Sequence, residues 1–324
     1  MRRMIAFFIC VLLGAAAGSV SAQNYVPDRP IDFLVHTGPG AGSDIFARGV
    51  ASIIEKNKLV PQRIQVVNKT GGGGLVAMSF LAEKSGQVDP IAFFTGVWYV
   101  NPLIRKEAKV SMSELTPIAR LILEPSVLTV RADSPFKNAR DFIEAAKKNP
   151  GKLKQGGGSI SGRDNNTRLV IQKATGAQWQ FISFPSGGER VAALLGGHVD
   201  AYIMEPSEAL EHIRAGKIRV IATLMDKRLP AFPDVPTLKE QGIDVPEIPQ
   251  PRGVVGPPNM PPNARAYWEN VMAAMVKTPE WREFLKRELL DDAFLTGPAL
   301  QQFTKSYTEQ MRQILKEGGL TVLR

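Results

Sequence analysis

Ile31-Asp32-Phe33-Leu34-Val35-His36-Thr37-Gly38-Pro39-Gly40-Ala41-Gly42-Ser43-Asp44 holds a strand, a glycine loop and a helix start in one line. The strand signal is the short β-branched and aromatic run. The helix signal over 43–57 is the recurrence of apolar side chains at Ile45, Phe46, Val50, Ile53 and Ile54. The unit then repeats, with a strand over 63–68, the loop Asn68-Lys69-Thr70-Gly71-Gly72-Gly73-Gly74, a helix over 75–84 and a strand over 91–95. Strands that alternate with helices specify an α/β lobe built on a mainly parallel sheet flanked by helices.

Outward from this unit, a second series begins at 127–131. A helix over 139–148 stops at Pro150-Gly151, and a strand near Leu153 and a helix over 165–174 follow. Strands over 180–184, 199–204 and 218–222 alternate with helices over 188–195 and 208–215. Past Thr223 the chain is dense in proline, from Pro230 to Pro262, which holds it extended. Gly253-Val254-Val255-Gly256 inside that stretch reads as a return to the first sheet, and helices over 263–277, 279–290 and 298–316 finish the chain. The expected organisation is a first lobe of 23–125 with about 224–285 and a second lobe of 126–223. C-terminal helices over 286–324 pack across the two.

Arg2 and Arg3, an apolar run and Ser19-Val20-Ser21-Ala22 compose a secretory signal over 1–22. The single cysteine, Cys10, lies within it, so the mature chain needs no disulfide and offers no thiol nucleophile or thiolate metal site. About 300 residues can bury enough apolar surface to fold without such staples. Subtracting the two signal arginines from the 40 basic residues leaves 38 against 31 acidic ones, a balance of +7 that favours anionic partners. No arginine-rich or aromatic-interleaved stretch points to nucleic acid.

Ligands of open α/β sheets bind in crevices outside the carboxyl ends of the strands, where the glycine loops fall. His36, Thr37, Gly38 and Gly40 occupy the first loop. Ser43 or Asp44 can cap the helix whose free amides attract anions. Thr70, Gly72, Gly73 and Gly74 repeat the arrangement. The first loop by itself also reads as a tight glycine turn with an ordinary cap, and the second as a flexible surface linker. The second lobe offers Ser159, Arg163, Asp164 and Asn166 in one loop, Ser186 and Gly187 in another, and Glu205 after the next strand. Arg163 reads either as a bidentate carboxylate partner or as a surface arginine beside a cap. Trp98 either stacks on a ligand or packs the lobe. The glycine spacing does not give the dinucleotide fingerprint, and no lysine stands where a phosphate-binding loop needs one. No cofactor is expected. His36, His198 and His212 show no metal-ligand spacing, and Asp200 with Glu205 reads as structural or ligand-orienting rather than as an acid–base pair.

The loops and their order resemble a known family, the periplasmic receptors of tripartite tricarboxylate transporters, often called Bug receptors. The resemblance is carried by Pro39-Gly40-Ala41-Gly42-Ser43-Asp44 with Ala47-Arg48, Val66-Val67-Asn68-Lys69, Asn101-Pro102, Leu194-Leu195-Gly196-Gly197-His198-Val199-Asp200, Gly216-Lys217-Ile218-Arg219 and Phe232-Pro233-Asp234-Val235-Pro236-Thr237. It implies a Venus-flytrap fold whose lobes close on a small carboxylated ligand. One carboxylate would be held by 37–43 and 70–74, and the other end by 159–166 and Ser186-Gly187. It further implies a periplasmic monomer that passes its ligand to membrane permease subunits. A periplasmic sensor partner and an exported hydrolase or lyase are the alternatives. His36-Thr37, Trp98-Tyr99, Arg163-Asp164 and Val88-Asp89-Pro90 depart from the family pattern, so the ligand cannot be copied from relatives.

Overall fold

The computed structural model describes residues 25–184 and 186–323; the secretory signal over 1–22 lies outside them. The chain opens with β1 (Ile31–Val35), α1 (Gly42–Lys56), β2 (Ile64–Asn68), α2 (Leu75–Ala82), β3 (Ile91–Phe94), α3 (Val97–Ile104) and β4 (Thr116–Glu124). It then crosses to β5 (Val127–Arg131), α4 (Ala139–Lys148), β6 (Lys154–Gly157), α5 (Arg163–Thr175), β7 (Gln180–Ser183), α6 (Gly187–Leu195), β8 (Ala201–Met204), α7 (Leu210–Arg214) and β9 (Ile218–Thr223). It returns with β10 (Gln250–Gly256), α8 (Pro262–Met275), α9 (Pro279–Glu288), β11 (Asp291–Leu295) and α10 (Gly297–Glu317).

Two sheets result, one of order β11-β4-β10-β3-β1-β2 and one of order β7-β6-β8-β5-β9. Each is covered on both faces. Phe33, Phe46, Trp268 and Trp281 fill one side of the first sheet, and Leu34, Phe94, Trp98, Tyr99 and Tyr307 fill the other. Phe142, Ile171 and Trp179 lie on one face of the second sheet, with Leu194, Tyr202 and Met204 opposite. This is the two-lobed α/β architecture of periplasmic binding proteins.

The sheets are mainly parallel as expected, with β1, β2, β3 and β4 running one way in the first and β6, β7, β8 and β9 in the second, but β10 is antiparallel to both β3 and β4. In the second sheet β5 likewise runs antiparallel to β8 and β9. The cause is the double crossing, since a strand that enters a lobe from its neighbour arrives against the direction of the βαβ series. Two expectations need correction. The stretch 224–243, expected in the first lobe, packs instead on the second, and only from β10 onward does the chain return to the first sheet. Leu224, Leu229, Leu238 and Ile243 insert into the cores of the second lobe, and Thr237 pairs with Thr223. Finally, 286–324 is not helical throughout, because β11 adds an edge strand to the first sheet against β4. Between them α10 packs on α3 and β4 of the first lobe and on α5 of the second, where Lys173 stands 3.6 Å from Glu317.

β10 carries the return into the middle of the first sheet, and Gly253 is what lets it fit. A Cβ at this position would lie 2.2 Å from the Ala119 carbonyl oxygen and 2.7 Å from the Phe94 ring. Backbone cannot yield as a side chain does. We therefore predict that Gly253→Ala lowers the unfolding free energy by about 1–3 kcal/mol, as overpacking does, measured by urea denaturation; an unchanged midpoint would show that β10 does not run this close to β4.

Candidate functional site

The carboxyl ends of β1 and β2 are neighbours, so the two glycine loops emerge side by side. Asn68, the last residue of β2, ties them together: its amide donates to the Thr37 carbonyl at 2.8 Å and to Asp44 at 2.9 Å. Asp44 does not cap α1. Its carboxylate turns back to accept the Gly40 amide at 2.9 Å and pairs with Arg48 at 2.9 Å. Burial works upward on this carboxyl, but the hydrogen bonds from Arg48, Asn68 and Gly40 hold it below its ordinary range. The helix begins at Ala41 with no side-chain cap. The Gly42 and Ser43 amides that open it have no partner within the helix and keep their partial positive charge toward the cleft that Ala41, Gly42 and Ser43 line.

The second loop takes four consecutive positive φ values, from 126° at Gly71 to 101° at Gly74. L-residues rarely adopt this region, which is why the sequence spends a run of glycines here. Asn101 of α3 holds the loop from behind, donating to the Gly73 carbonyl at 2.6 Å. Thr70, Gly71 and Gly73 face the cleft. Gly72 does not; it opens on the outer side of the loop, beside Leu75. Gly74 backs onto the protein, where a Cβ would come within 3.2 Å of the Trp98 indole.

Trp98 is also withdrawn. It is fully buried behind the loops, and its Nε1 donates to His36 Nδ1 at 3.1 Å. The cause is α3, which starts at Val97 and turns the indole inward, while Val97 itself reaches the cleft. His36 borders the cleft, but as a neutral ring: burial and the nearby Arg252 push its pKa down to about 4, against a hydrogen bond to the Phe93 backbone.

In the second lobe, Ser159, Arg163 and Asp164 line the cleft. Asn166 does not. It is buried behind the loop and donates to the Ser161 carbonyl at 3.4 Å. Ser186 and Gly187 line an adjoining compartment together with Gly38 and Gly40. Ser186 caps α6, its hydroxyl accepting the Glu189 amide at 3.3 Å. Arg163 is no surface residue, and its guanidinium is engaged within the protein. It donates to the Glu124 and Pro125 carbonyls at 2.7 and 3.2 Å and pairs with Glu205 at 2.7 Å. Asp200 accepts the Lys154 amide at 2.8 Å, a structural role far from the cleft lining.

The floor of the cleft is a charge network that sequence reading missed. Arg252 of β10 pairs with Glu124 at 2.8 Å and donates to Ser43 at 3.0 Å. Gln250 bridges Glu124 at 2.7 Å and Glu205 at 3.0 Å. Arg190, Tyr202 and Glu208 continue it along the second lobe, with the Tyr202 hydroxyl 2.5 Å from Glu208. The one sequence signal was proximity: Glu208 lies three residues after Glu205, and Gln250 and Arg252 flank Pro251 at the start of the return strand. The main cavity measures about 710 Å³ and the adjoining compartment about 460 Å³. Among the described residues no group of histidine, cysteine and carboxylate side chains could hold a metal, and no helix is long and apolar enough to cross a membrane.

Two α/β lobes with an anion-attracting cleft between them define a solute-binding receptor. Residues 46–320 match the family model described as tripartite tricarboxylate transporter family receptor, and the chain belongs to that family. A Cupriavidus necator relative is 29% identical over 309 residues, covering 95% of this chain and 93% of that one. MatC from Rhodopseudomonas palustris, solved with bound malate, is 20% identical with a TM-score of 0.79 and covers 89% of this chain and 99% of its own. Another R. palustris structure, with adipate, is 20% identical with a TM-score of 0.84 over 91% and 99%.

His36 makes the site sensitive to acid. Its folded pKa of about 4 lies below the ordinary 6.5, so the folded state refuses a proton that the unfolded chain accepts. The stability that the neutral ring contributes is intact above pH 6.5 and is lost as pH falls from 6.5 toward 4. We predict that the melting temperature of the wild type declines more steeply across this window than that of His36→Gln, followed by circular dichroism; parallel curves would refute the burial of a neutral imidazole here.

Proposed function

We propose that this chain is an exported, monomeric receptor that closes on a small carboxylate-bearing molecule and delivers it to the membrane permease of a tripartite transporter. The observation that carries the reading is the pair of glycine loops at the ends of β1 and β2, tied by Asn68, whose amides converge on a cleft between two lobes. A helix start and a run of backbone N–H groups bind an anion without requiring any one side chain. Closure removes water, and in the lower dielectric each of those bonds strengthens. The malate and adipate bound in structures of the same fold agree with a carboxylate ligand. The alternative hydrolytic reading finds little support, since Glu205 is held by Arg163 and Gln250, and Asp200 by a backbone amide.

The test is thermal unfolding with a panel of mono-, di- and tricarboxylates and aromatic acids. An acid present at a hundred times its dissociation constant stabilises the folded state by about 2.7 kcal/mol. We predict such a shift for at least one acid and none for neutral sugars; the reverse pattern would sink the proposal. The loop is tested by Gly73→Val, which introduces a Cβ 2.8 Å from Asn101 Nδ2 at a φ of +64°. Affinity for the stabilising acid should fall at least about tenfold, the equivalent of one charge-assisted hydrogen bond, in a protein that remains folded.

A further inference from the structure

Among the described residues four guanidiniums line the cleft, Arg105 at its rim and Arg163, Arg190 and Arg252 deeper in, and the inner three are not equally engaged. Arg163 and Arg252 are each fixed by a buried carboxylate and by further acceptors within the protein. Arg190, near the start of α6, is held more loosely. Its Nε donates to the Ser186 carbonyl at 3.2 Å, and its Nη2 stands 3.4 Å from Glu208, longer than a good charge-assisted hydrogen bond. Its Nη1 has no hydrogen-bond partner among the described residues and lies beside Gly158, where an added Cβ would sit 3.4 Å away. The side chain borders both compartments, so it is within the same cavity as Thr37, Ser43 and Thr70 of the first lobe.

We infer that Arg190 and Glu208 form an anion clamp in the second lobe, which selects ligands carrying a second acidic group opposite the one held by the glycine loops. This inference rests on the carboxylate reading above and adds the residues that choose among carboxylates. Glu208 is oriented by Tyr202, whose hydroxyl donates to Oε2 at 2.5 Å and leaves Oε1 turned toward Arg190. Burial, then the like charge of Glu205, push the Glu208 carboxyl up to about 8. Its protonated form is thereby favoured near neutral pH, and with Oε2 accepting from Tyr202 the proton falls to Oε1, which faces Arg190. A neutral partner leaves the charge of Arg190 available to a ligand.

The remaining charged groups around Glu208 each have a nearer partner of their own, though Glu205 and Asp164 also act on Arg190 through space. Glu205 is bound to Arg163, and Arg252 across the cleft is bound to Glu124. Asp164, pushed up to about 6 by burial, accepts the Gly158 amide at 2.5 Å. An anion placed between Arg190 and Glu208 favours the protonated form of Glu208, so binding takes up a proton when the solution is near pH 8.

Isothermal titration of straight-chain dicarboxylates, succinate to suberate, and of the monocarboxylates of equal length, butyrate to octanoate, tests the clamp. In the wild type at least one dicarboxylate should bind tenfold or more tightly than its monocarboxylate, a difference of about 1.4 kcal/mol. Arg190→Gln should bring the dicarboxylate down to the level of the monocarboxylate and leave the latter unchanged, which also shows that the variant is folded. Arg190→Lys, which keeps the charge without the planar fork, should retain part of the preference. At pH 8, in buffers of different ionisation enthalpy, the wild type should take up a fraction of a proton on binding and Glu208→Gln none. Equal binding of the two series, or an equal loss of both in Arg190→Gln, overturns the clamp while leaving carboxylate capture in place. Proton uptake retained in Glu208→Gln removes Glu208 from it. Binding by neither series also overturns the clamp, and carboxylate capture is then decided by the wider panel.

Discussion

Arg252 and Glu124 meet at 2.8 Å with less than a tenth of either side chain exposed, and the organisation of the cleft follows from that contact. Glu124 is the last residue of β4, where the chain leaves the first lobe, and Arg252 lies on β10, just after it returns. Two charges withdrawn from water are costly unless their hydrogen-bonding capacity is filled. Here Ser43 and Gln250 fill it, and Gln250 extends the network to Glu205 and thence to Arg163 in the second lobe. The two connections between the lobes are thereby fastened to each other and to the start of α1. The glycine loop that opens α1 is positioned by a contact more than 200 residues away.

With the floor fixed, the lobes divide the work of recognition by chemistry. The first lobe presents backbone: amides of a capless helix and of a loop in left-handed conformation, held from behind by Asn68 and Asn101. Such groups attract any carboxylate and carry little information about the rest of the molecule. The second lobe presents side chains, Arg190, Glu208 and Asp164, and side chains discriminate by charge and shape. In the proposed function, affinity and choice thus come from different halves of the cleft. Ser43 is the exception, since its hydroxyl accepts from Arg252 and joins the backbone half to the charged floor.

What could be read from the sequence was local. Glycine loops between a β-branched run and a 3.6-residue pattern identified both first-lobe loops and the βα units around them, because strand, turn and helix signals there are contiguous. β4 was not read as a strand, since Thr116-Pro117 opens it and Arg120 interrupts its apolar run. α3 is hidden by Pro102 within it, so the sequence leaves Trp98 open between stacking on a ligand and packing the lobe, and the helix decides for packing against His36. The reversal of β5 and β10 within otherwise parallel sheets is illegible for a different reason: it depends on how many times the chain crosses between lobes, which no single segment encodes. The pairing of Glu124 with Arg252 spans 128 positions, and nothing in either neighbourhood announces the other. Arg163 illustrates the limit most plainly. The sequence shows a guanidinium near a cap, but only the fold shows that Glu205 and two backbone carbonyls already hold it.

The burial of that charged floor separates two responses that are often joined. Counterions at physiological ionic strength screen over about 8 Å and act on exposed charge far more than on buried pairs. Arg105 at the rim of the cleft is within their reach, whereas Arg252 and Glu124 are not. Changes in the salt around the protein therefore alter how often an anion arrives at the mouth of the cleft, while the spacing of the groups that hold the two lobes in register stays the same.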